Sequence, residues 1–530
     1  MKSPPLVIVG LDAGDAGFIQ RWIQEGDLPA IASIMQRGCW GRICGSELVC
    51  TQGSWLSFFS GISRSEHGYY YNHQLKPGTY DLQGLTARDA QALPFWSHLC
   101  GGSRKVAIID AFETHALEGL PGLQLANWAV QQQYNTAPLP VSAEPIGLLP
   151  DVRRLVGEQI QIDVFKPNGH SREDLEAYHL LLRRVEQKGR LGRHFLMRDQ
   201  SDLVVIGFSE AHTAAHRFWD YRPGGIHYSN AANKEHHLSD AIRDVYQAID
   251  REMGLLLKQL PDKANIFIIS LFGMKDQYPT TGLIEAFCRQ LGYHVLSEGT
   301  AGALNPLSSV RRIIPLPWRA RISRLLPRRV QDLLHADHTR NDTNWAKTRA
   351  FAVPSLNTSF VRVNLRGREP QGIVERGHEY ERLLNYIEAD LQQLVDVRTG
   401  EPAVEKVTRT VEVFHCCPPP VLPDLFIEWK AASHFLERVA HPKVELVQAK
   451  QFYDRSSYHS FSGLVAAAGP SIRACGHLGE VSLLDFAPTF LSLMGEPLLQ
   501  KLTGRVIDQM IHREAMVPRG PTWPQEPGEV

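Results

Sequence analysis

Asp202-Leu203-Val204-Val205-Ile206-Gly207-Phe208-Ser209-Glu210-Ala211-His212-Thr213-Ala214-Ala215-His216 decides how the rest of this chain is read. Leu203–Phe208 is an unbroken apolar run, of the length and texture of a strand buried on both faces of a parallel sheet. Glu210, His212 and His216 follow directly. If the segment after the strand is helical, His212 and His216 lie one turn apart on one face. Two imidazoles so placed can grip one transition metal, and a third ligand from elsewhere would complete an open site. The alternative is a helix that carries two solvated histidines.

Working outward, similar apolar runs occur at Leu6–Leu11, Val106–Ile109 and Ile266–Ser270. Between them lie segments with helical spacing: Phe18, Ile19, Trp22 and Ile23, then Leu28–Arg37, then a long one around Ala241–Gln259. Strands alternating with helices predict an α/β fold, a doubly wound, mainly parallel sheet flanked by helices. In such sheets chemistry gathers at the carboxyl ends of the strands. Asp12, Asp110, Glu210 and the turn at Ser270 all fall there.

From about 300 to 445 the texture changes, and we expect an inserted cap region there. Val361–Leu365, Glu375–Leu394 and Leu425–Glu428 read as strand, helix and strand. Residues 311–329 hold seven arginines interrupted by Pro315, Pro317 and Pro327. A solvated pair of short helices, a docking surface, or an anion- or membrane-binding segment all fit that run. The sheet is expected to resume at Gly463–Ala468, with a late helix at Asp485–Leu493. The predicted organisation is therefore a catalytic domain in two parts, 1–299 and 446–515, an insertion at 300–445, and a disordered tail at 516–530.

The 530 residues carry 56 basic and 57 acidic side chains, so no global field draws in a nucleic-acid polymer or an anionic membrane. The eight cysteines show no metal or disulfide spacing, which fits free thiols in a reducing compartment. No signal sequence and no stretch long enough for a transmembrane helix is evident. The expectation is a cytoplasmic protein. Its oligomeric state is not legible.

Other segments carry residues that a metal site would use. Asp12 ends the first strand, as an oxygen ligand or as a helix cap. Thr51 opens T-Q-G-S-W-L-S-F-F-S-G, as a nucleophile or as a cap. Asn72 follows three tyrosines, as a donor to a charged oxygen or as a turn residue. Tyr69, Tyr70, Tyr71 and Trp219 could stack on a base or sugar, or pack in the core. His459, in S-Y-H-S-F-S-G, could supply a third imidazole.

Order and spacing together resemble one family. V-I-V-G-L-D-A-G-D (7–15), L-P-A-I (28–31), T-Q-G-S-W-L-S-F-F-S-G (51–61), E-H-G (66–68), F-S-E-A-H-T-A-A-H (208–216) and Y-H-S-F-S-G-L-V-A-A-A-G-P (458–470) resemble the alkaline phosphatase superfamily, in its type I phosphodiesterase/nucleotide pyrophosphatase branch. D-F-A-P-T-F-L-S-L-M-G (485–495) and N-L-R-G-R-E-P-Q-G-I-V (364–374) are also similar to segments of that family. The resemblance implies an alkaline phosphatase-like fold, a two-metal site and a threonine that attacks phosphate esters. Thr51 matches the nucleophile, and Asn72 an asparagine that binds a phosphate oxygen. His212, His216 and His459 match ligands of the first metal, with His212 in place of an aspartate. Asp12 matches a ligand of the second.

One departure bears on mechanism. Where the family has S-D-H-G-M, this chain has Ser270-Leu271-Phe272-Gly273-Met274. Leucine and phenylalanine bind no cation. The second site would keep only Asp12 and Thr51, and two such ligands rarely hold a catalytic zinc. Glu210 or Asp15 would then be the base that serves Thr51, and Asp276 a substitute ligand. We expect a metal-dependent hydrolase or transferase acting on a small phosphate ester or related anion, with one divalent metal, zinc, rather than two. The alternative is a degenerate relative that binds an anionic ligand or a partner without hydrolysis.

Overall fold

The structure is a computed structural model. It describes residues 3–130, 140–163, 171–225, 227–228, 238–261, 263–297, 343–356, 358–450, 455–499 and 501–512. The arginine-rich run at 311–329 and the expected tail at 516–530 lie outside the described residues.

Nine strands form the central sheet: β1 (Leu6–Leu11), β2 (Cys39–Cys44), β3 (Val106–Ile109), β4 (Gly122–Ala126), β5 (Ser142–Glu144), β6 (Leu203–Phe208), β7 (Asn265–Ser270), β8 (Gly463–Ala468) and β9 (Gly476–Ser482). Their order is β9-β2-β8-β7-β1-β6-β3-β4-β5. The middle strands β7, β1, β6 and β3 are parallel. Every residue of β1, β6, β7 and β8 is buried, as expected when helices cover both faces. This is the mainly parallel α/β sheet of an alkaline phosphatase-like fold. One feature is not visible in the apolar runs. β8 returns antiparallel to both β7 and β2.

Two glycines make room at the centre, Gly10 for the Phe112 and Trp55 rings and Gly207 for the backbone of Asp110. Gly10 of β1 pairs with Gly207 of β6. A Cβ on Gly207 would sit 2.2 Å from the Asp110 carbonyl oxygen, so no larger residue fits. Three further helices matter for the site: α1 (Ser54–Ser60), α2 (Ser171–Asp199) and α3 (Glu210–Phe218); α4 (Ala241–Leu257) packs on both α2 and α3.

A second apolar core draws on residues from Leu283 to Leu446. It is built on an antiparallel sheet ordered Ala350–Val353, Ser359–Val363, Leu425–Trp429, Val404–Arg409, with helix His378–Gln392 against it. The expected strand–helix–strand sequence is present, with a further strand on each side. Among the described residues, no helix is long and apolar enough to cross a membrane.

Candidate functional site

β6 ends at Phe208 and α3 begins at Glu210, so His212 and His216 share one face of a helix whose nine residues are all buried. His459 arrives from the far end of the chain on strand Ser457–Ser460, which pairs antiparallel with Gly273–Asp276 just beyond β7. The three histidines converge, with one nitrogen from each lying within 4.8 Å of the others. The Nε2 atoms of His212 and His459 stand 2.7 Å apart.

The outer nitrogens are each engaged. His212 Nδ1 lies 2.7 Å from Asp12 Oδ2, His216 Nδ1 lies 3.2 Å from Ser457 Oγ, and His459 Nδ1 lies 3.1 Å from Thr51 Oγ1. His216 Nε2 is buried with no hydrogen-bond partner. An imidazole fixed through one nitrogen and bare at the other is what a metal-binding histidine looks like. Burial holds His216 and His459 well below the usual histidine range. The Arg455 guanidinium and the neighbouring imidazoles push in the same direction. Neutral rings with converging nitrogens are the ligand form, so this donor set fits a divalent cation.

Thr51 sits in the turn before α1, with Gly53 in the left-handed region at φ 81°. A Cβ there would meet the Tyr69 carbonyl at 2.4 Å. The fully buried Arg64 guanidinium gathers the carbonyls of Glu47, Cys50, Gln52 and Tyr69 and so fixes this turn. Asn72 is 6% exposed, and its Oδ1 has no hydrogen-bond partner. Thr51, Asn72, Asp12 and the three histidines line one cavity of about 400 Å³.

Several expectations change. The Glu210 carboxylate, nominated as a base for Thr51, turns to the opposite side. It lies 2.7 Å from Arg184 Nε and 3.3 Å from Lys188 Nζ, fully buried, and does not line the cavity. The reason is helical phase: position 210 faces α2 when 212 and 216 face the cavity. Asp15 caps the helix Ala16–Gln24, accepting from Phe18 N at 2.9 Å and Met274 N at 3.1 Å. Asp276 accepts from Trp219 Nε1 at 2.8 Å and pairs with Arg222, so it is no substitute ligand. The Asp12 carboxylate, expected to face a second cation, is taken up by His212 and by Trp55 Nε1 at 3.1 Å. Trp219 and Tyr70 are core residues, whereas Tyr69 and Tyr71 line the cavity.

Leu271 and Phe272 are both buried. The Phe272 ring lies 5.0 Å, centroid to centroid, from His459. Carbon therefore stands beside the imidazole cluster where the related pattern has two more donors.

Sequence reasoning missed Glu113, Arg455 and Ser457. Ser457 carried a usable signal, since it shares a strand face with His459. Glu113 lines the cavity and accepts from Gly53 N at 2.7 Å and Leu56 N at 3.1 Å. Burial pushes its carboxyl up to about 7, against those two donors. Nothing in its local sequence sets it apart.

A mainly parallel α/β sheet with a cavity at its carboxyl edge is the architecture of the alkaline phosphatase superfamily. The family model for type I phosphodiesterase / nucleotide pyrophosphatase matches residues 6–438, and the chain belongs to that family. The match ends before His459. Members act on small phosphate esters and typically depend on a divalent metal. No curated protein matches the chain.

Proposed function

We propose that this protein is a phosphodiesterase-type phosphate-ester hydrolase working from a single divalent cation, with zinc the best fit, held by His212, His216 and His459. Thr51 is the nucleophile. The carrying observation is that each of the three imidazoles is engaged at Nδ1, while the Nε2 atoms of His212 and His459 face each other at 2.7 Å and that of His216 is buried without a hydrogen-bond partner. Bound there, a cation would supply Lewis acidity to a phosphoryl oxygen.

The rest is done by the chain. Asp12 accepts from His212 Nδ1–H and fixes that ring's orientation and tautomer. With Nε2 committed as a ligand, His459 carries its proton on Nδ1 and donates it to Thr51 Oγ1. The Thr51 hydroxyl proton is then directed away from His459. As Oγ1 bonds to phosphorus the ester P–O bond breaks, and the departing alkoxide takes up that proton. Water then hydrolyses the phosphothreonine. Asn72, whose amide lacks a protein partner at Oδ1, can turn its NH2 to a phosphate oxygen. Residues of the 300–445 region would act as the cap that sets specificity, since Leu356 reaches the cavity wall. Unpaired cysteines suit a cytoplasmic setting.

Leu271 and Phe272 favour a second reading, an anion-binding relative without hydrolysis. Elemental analysis of the purified protein and hydrolysis of bis(p-nitrophenyl) phosphate separate the two. One equivalent of zinc, with turnover abolished in Thr51→Ala but the zinc retained, supports the enzyme. No bound metal and no turnover supports the binder.

A further inference from the structure

We propose that Arg455 is the anion clamp of this cavity, a fixed positive charge set against the non-bridging oxygens of the bound phosphate. It would do part of the work that a second cation would do if Leu271 and Phe272 were ligands. The inference rests on the reading above for the identity of the substrate, but its test does not.

Three observations carry it. First, Arg455 lines the same cavity as Thr51, Asn72 and the three histidines. It stands two residues before Ser457 and four before His459, at the mouth of the short strand that brings both to the cluster. Its guanidinium lies 5.4 Å from the centroid of the Tyr458 ring, which holds the group as a cation–π pair. Second, the carboxylates that line the cavity are occupied within the protein, so none of them stands open against an anion. Asp12 serves His212, Glu113 serves the backbone of α1, and Asp89 accepts from Thr86 at the rim. Arg88 is exposed at the same rim. Third, the Asn72 amide is nine-tenths buried and unpartnered at Oδ1 in the same cavity, so a polar group already waits there for a ligand.

An arginine suits the task because its planar fork keeps its charge in a buried site and can pair two oxygens of one phosphate at once. Negative charge on those oxygens grows as the Thr51 oxygen attacks, so the contact strengthens along the reaction.

The test uses inorganic phosphate on the full-length protein, as a titrant in calorimetry and as an inhibitor of bis(p-nitrophenyl) phosphate hydrolysis. Arg455→Ala should keep its zinc and its melting temperature, and bind phosphate at least tenfold more weakly. Its kcat/KM should fall by about 10²-fold. Added guanidinium should restore part of the lost rate. Arg455→Lys keeps the charge but not the fork, so its phosphate affinity should fall between the two. Phosphate affinity within twofold of the parent in a folded Arg455→Ala protein overturns the proposal. If that variant does not fold, an unchanged affinity in Arg455→Lys overturns it equally. A parent without zinc or turnover would sink the hydrolase reading, yet leave the phosphate comparison between parent and variants standing.

Discussion

Two strand ends of one sheet, on either side of β1, are finished in opposite ways. Beyond β6 the chain turns into α3 and presents His212 and His216, to which His459 is added from strand Ser457–Ser460. Beyond β7, one strand further on from β1, it presents Leu271 and Phe272. Gly273–Asp276, which continues from β7, pairs residue for residue with Ser457–Ser460, so the strand that brings His459 is itself held at the β7 end. The donor atoms differ, and they alone decide which end can hold an ion. A nitrogen pole stands beside a carbon pole, with the Phe272 ring 5.0 Å from His459, and this asymmetry is the basis of the single cation proposed above. The fold positions the chemistry; it does not supply it.

The sharpest way to break this contrast is to remove a donor from the nitrogen pole. His216→Ala takes away the one ring nitrogen that lacks a protein partner. Bound zinc should fall from about one equivalent to none, and kcat/KM by at least about 10³-fold. Retention of zinc in that variant would show that the cluster is not the metal site.

The reverse experiment gives the carbon pole its donors. Leu271→Asp combined with Phe272→His should raise bound zinc from one equivalent to two. In chelator the same protein carries a buried carboxylate with no partner, at a cost of roughly 3–5 kcal/mol. Its melting temperature should therefore drop in chelator and recover when zinc is added. One equivalent, with no recovery, would mean that Asp12 cannot be drawn away from His212 and Trp55.

How much of this was legible beforehand depends on what each residue's position encodes. The strands Leu6–Leu11, Val106–Ile109 and Leu203–Phe208 were legible because burial on both faces demands unbroken apolar runs. The direction of Gly463–Ala468 was not, because such a run looks the same parallel or antiparallel. His212 and His216 were legible as a pair through helical spacing. Glu210 was misjudged although the same spacing places it on another face, against Arg184 and Lys188. Glu113 and Arg455 had no local signature at all. They reach the cavity by tertiary packing, which no spacing records.

A smaller effect lies in the outer partners of the nitrogen pole. Asp12→Ala leaves His212 free to rotate and to change tautomer, and leaves Trp55 Nε1 without an acceptor. Zinc affinity, measured by competition with a chromophoric chelator, should fall by about 10–100-fold. The carbon pole should be indifferent, so Leu271→Ala, which removes only core packing, should leave that affinity unchanged.

The smallest expected effect belongs to Glu113, which sits under the Thr51 turn and should respond to pH rather than to metal. Burial raises its carboxyl from 4.5 to about 7. An acid raised in this way binds its proton more tightly in the folded protein than in the unfolded chain. Between pH 4.5 and about 7 the folded state keeps a proton that the unfolded chain has released, so stability falls as pH climbs through that window. Above it Glu113 is ionised in both states and the burial cost is fully present. Glu113→Gln cannot ionise, and its amide oxygen can still accept from Gly53 N or Leu56 N. Relative to the parent, the variant should therefore gain stability between pH 5 and pH 8, on the order of 1–2 kcal/mol after solvent screening. Thermal melts of both proteins at the two pH values measure the gain. A parent–variant difference that is the same at pH 5 and pH 8 would mean that Glu113 titrates as an ordinary carboxylate, and that the turn carrying Thr51 is held by Arg64 without help from its proton.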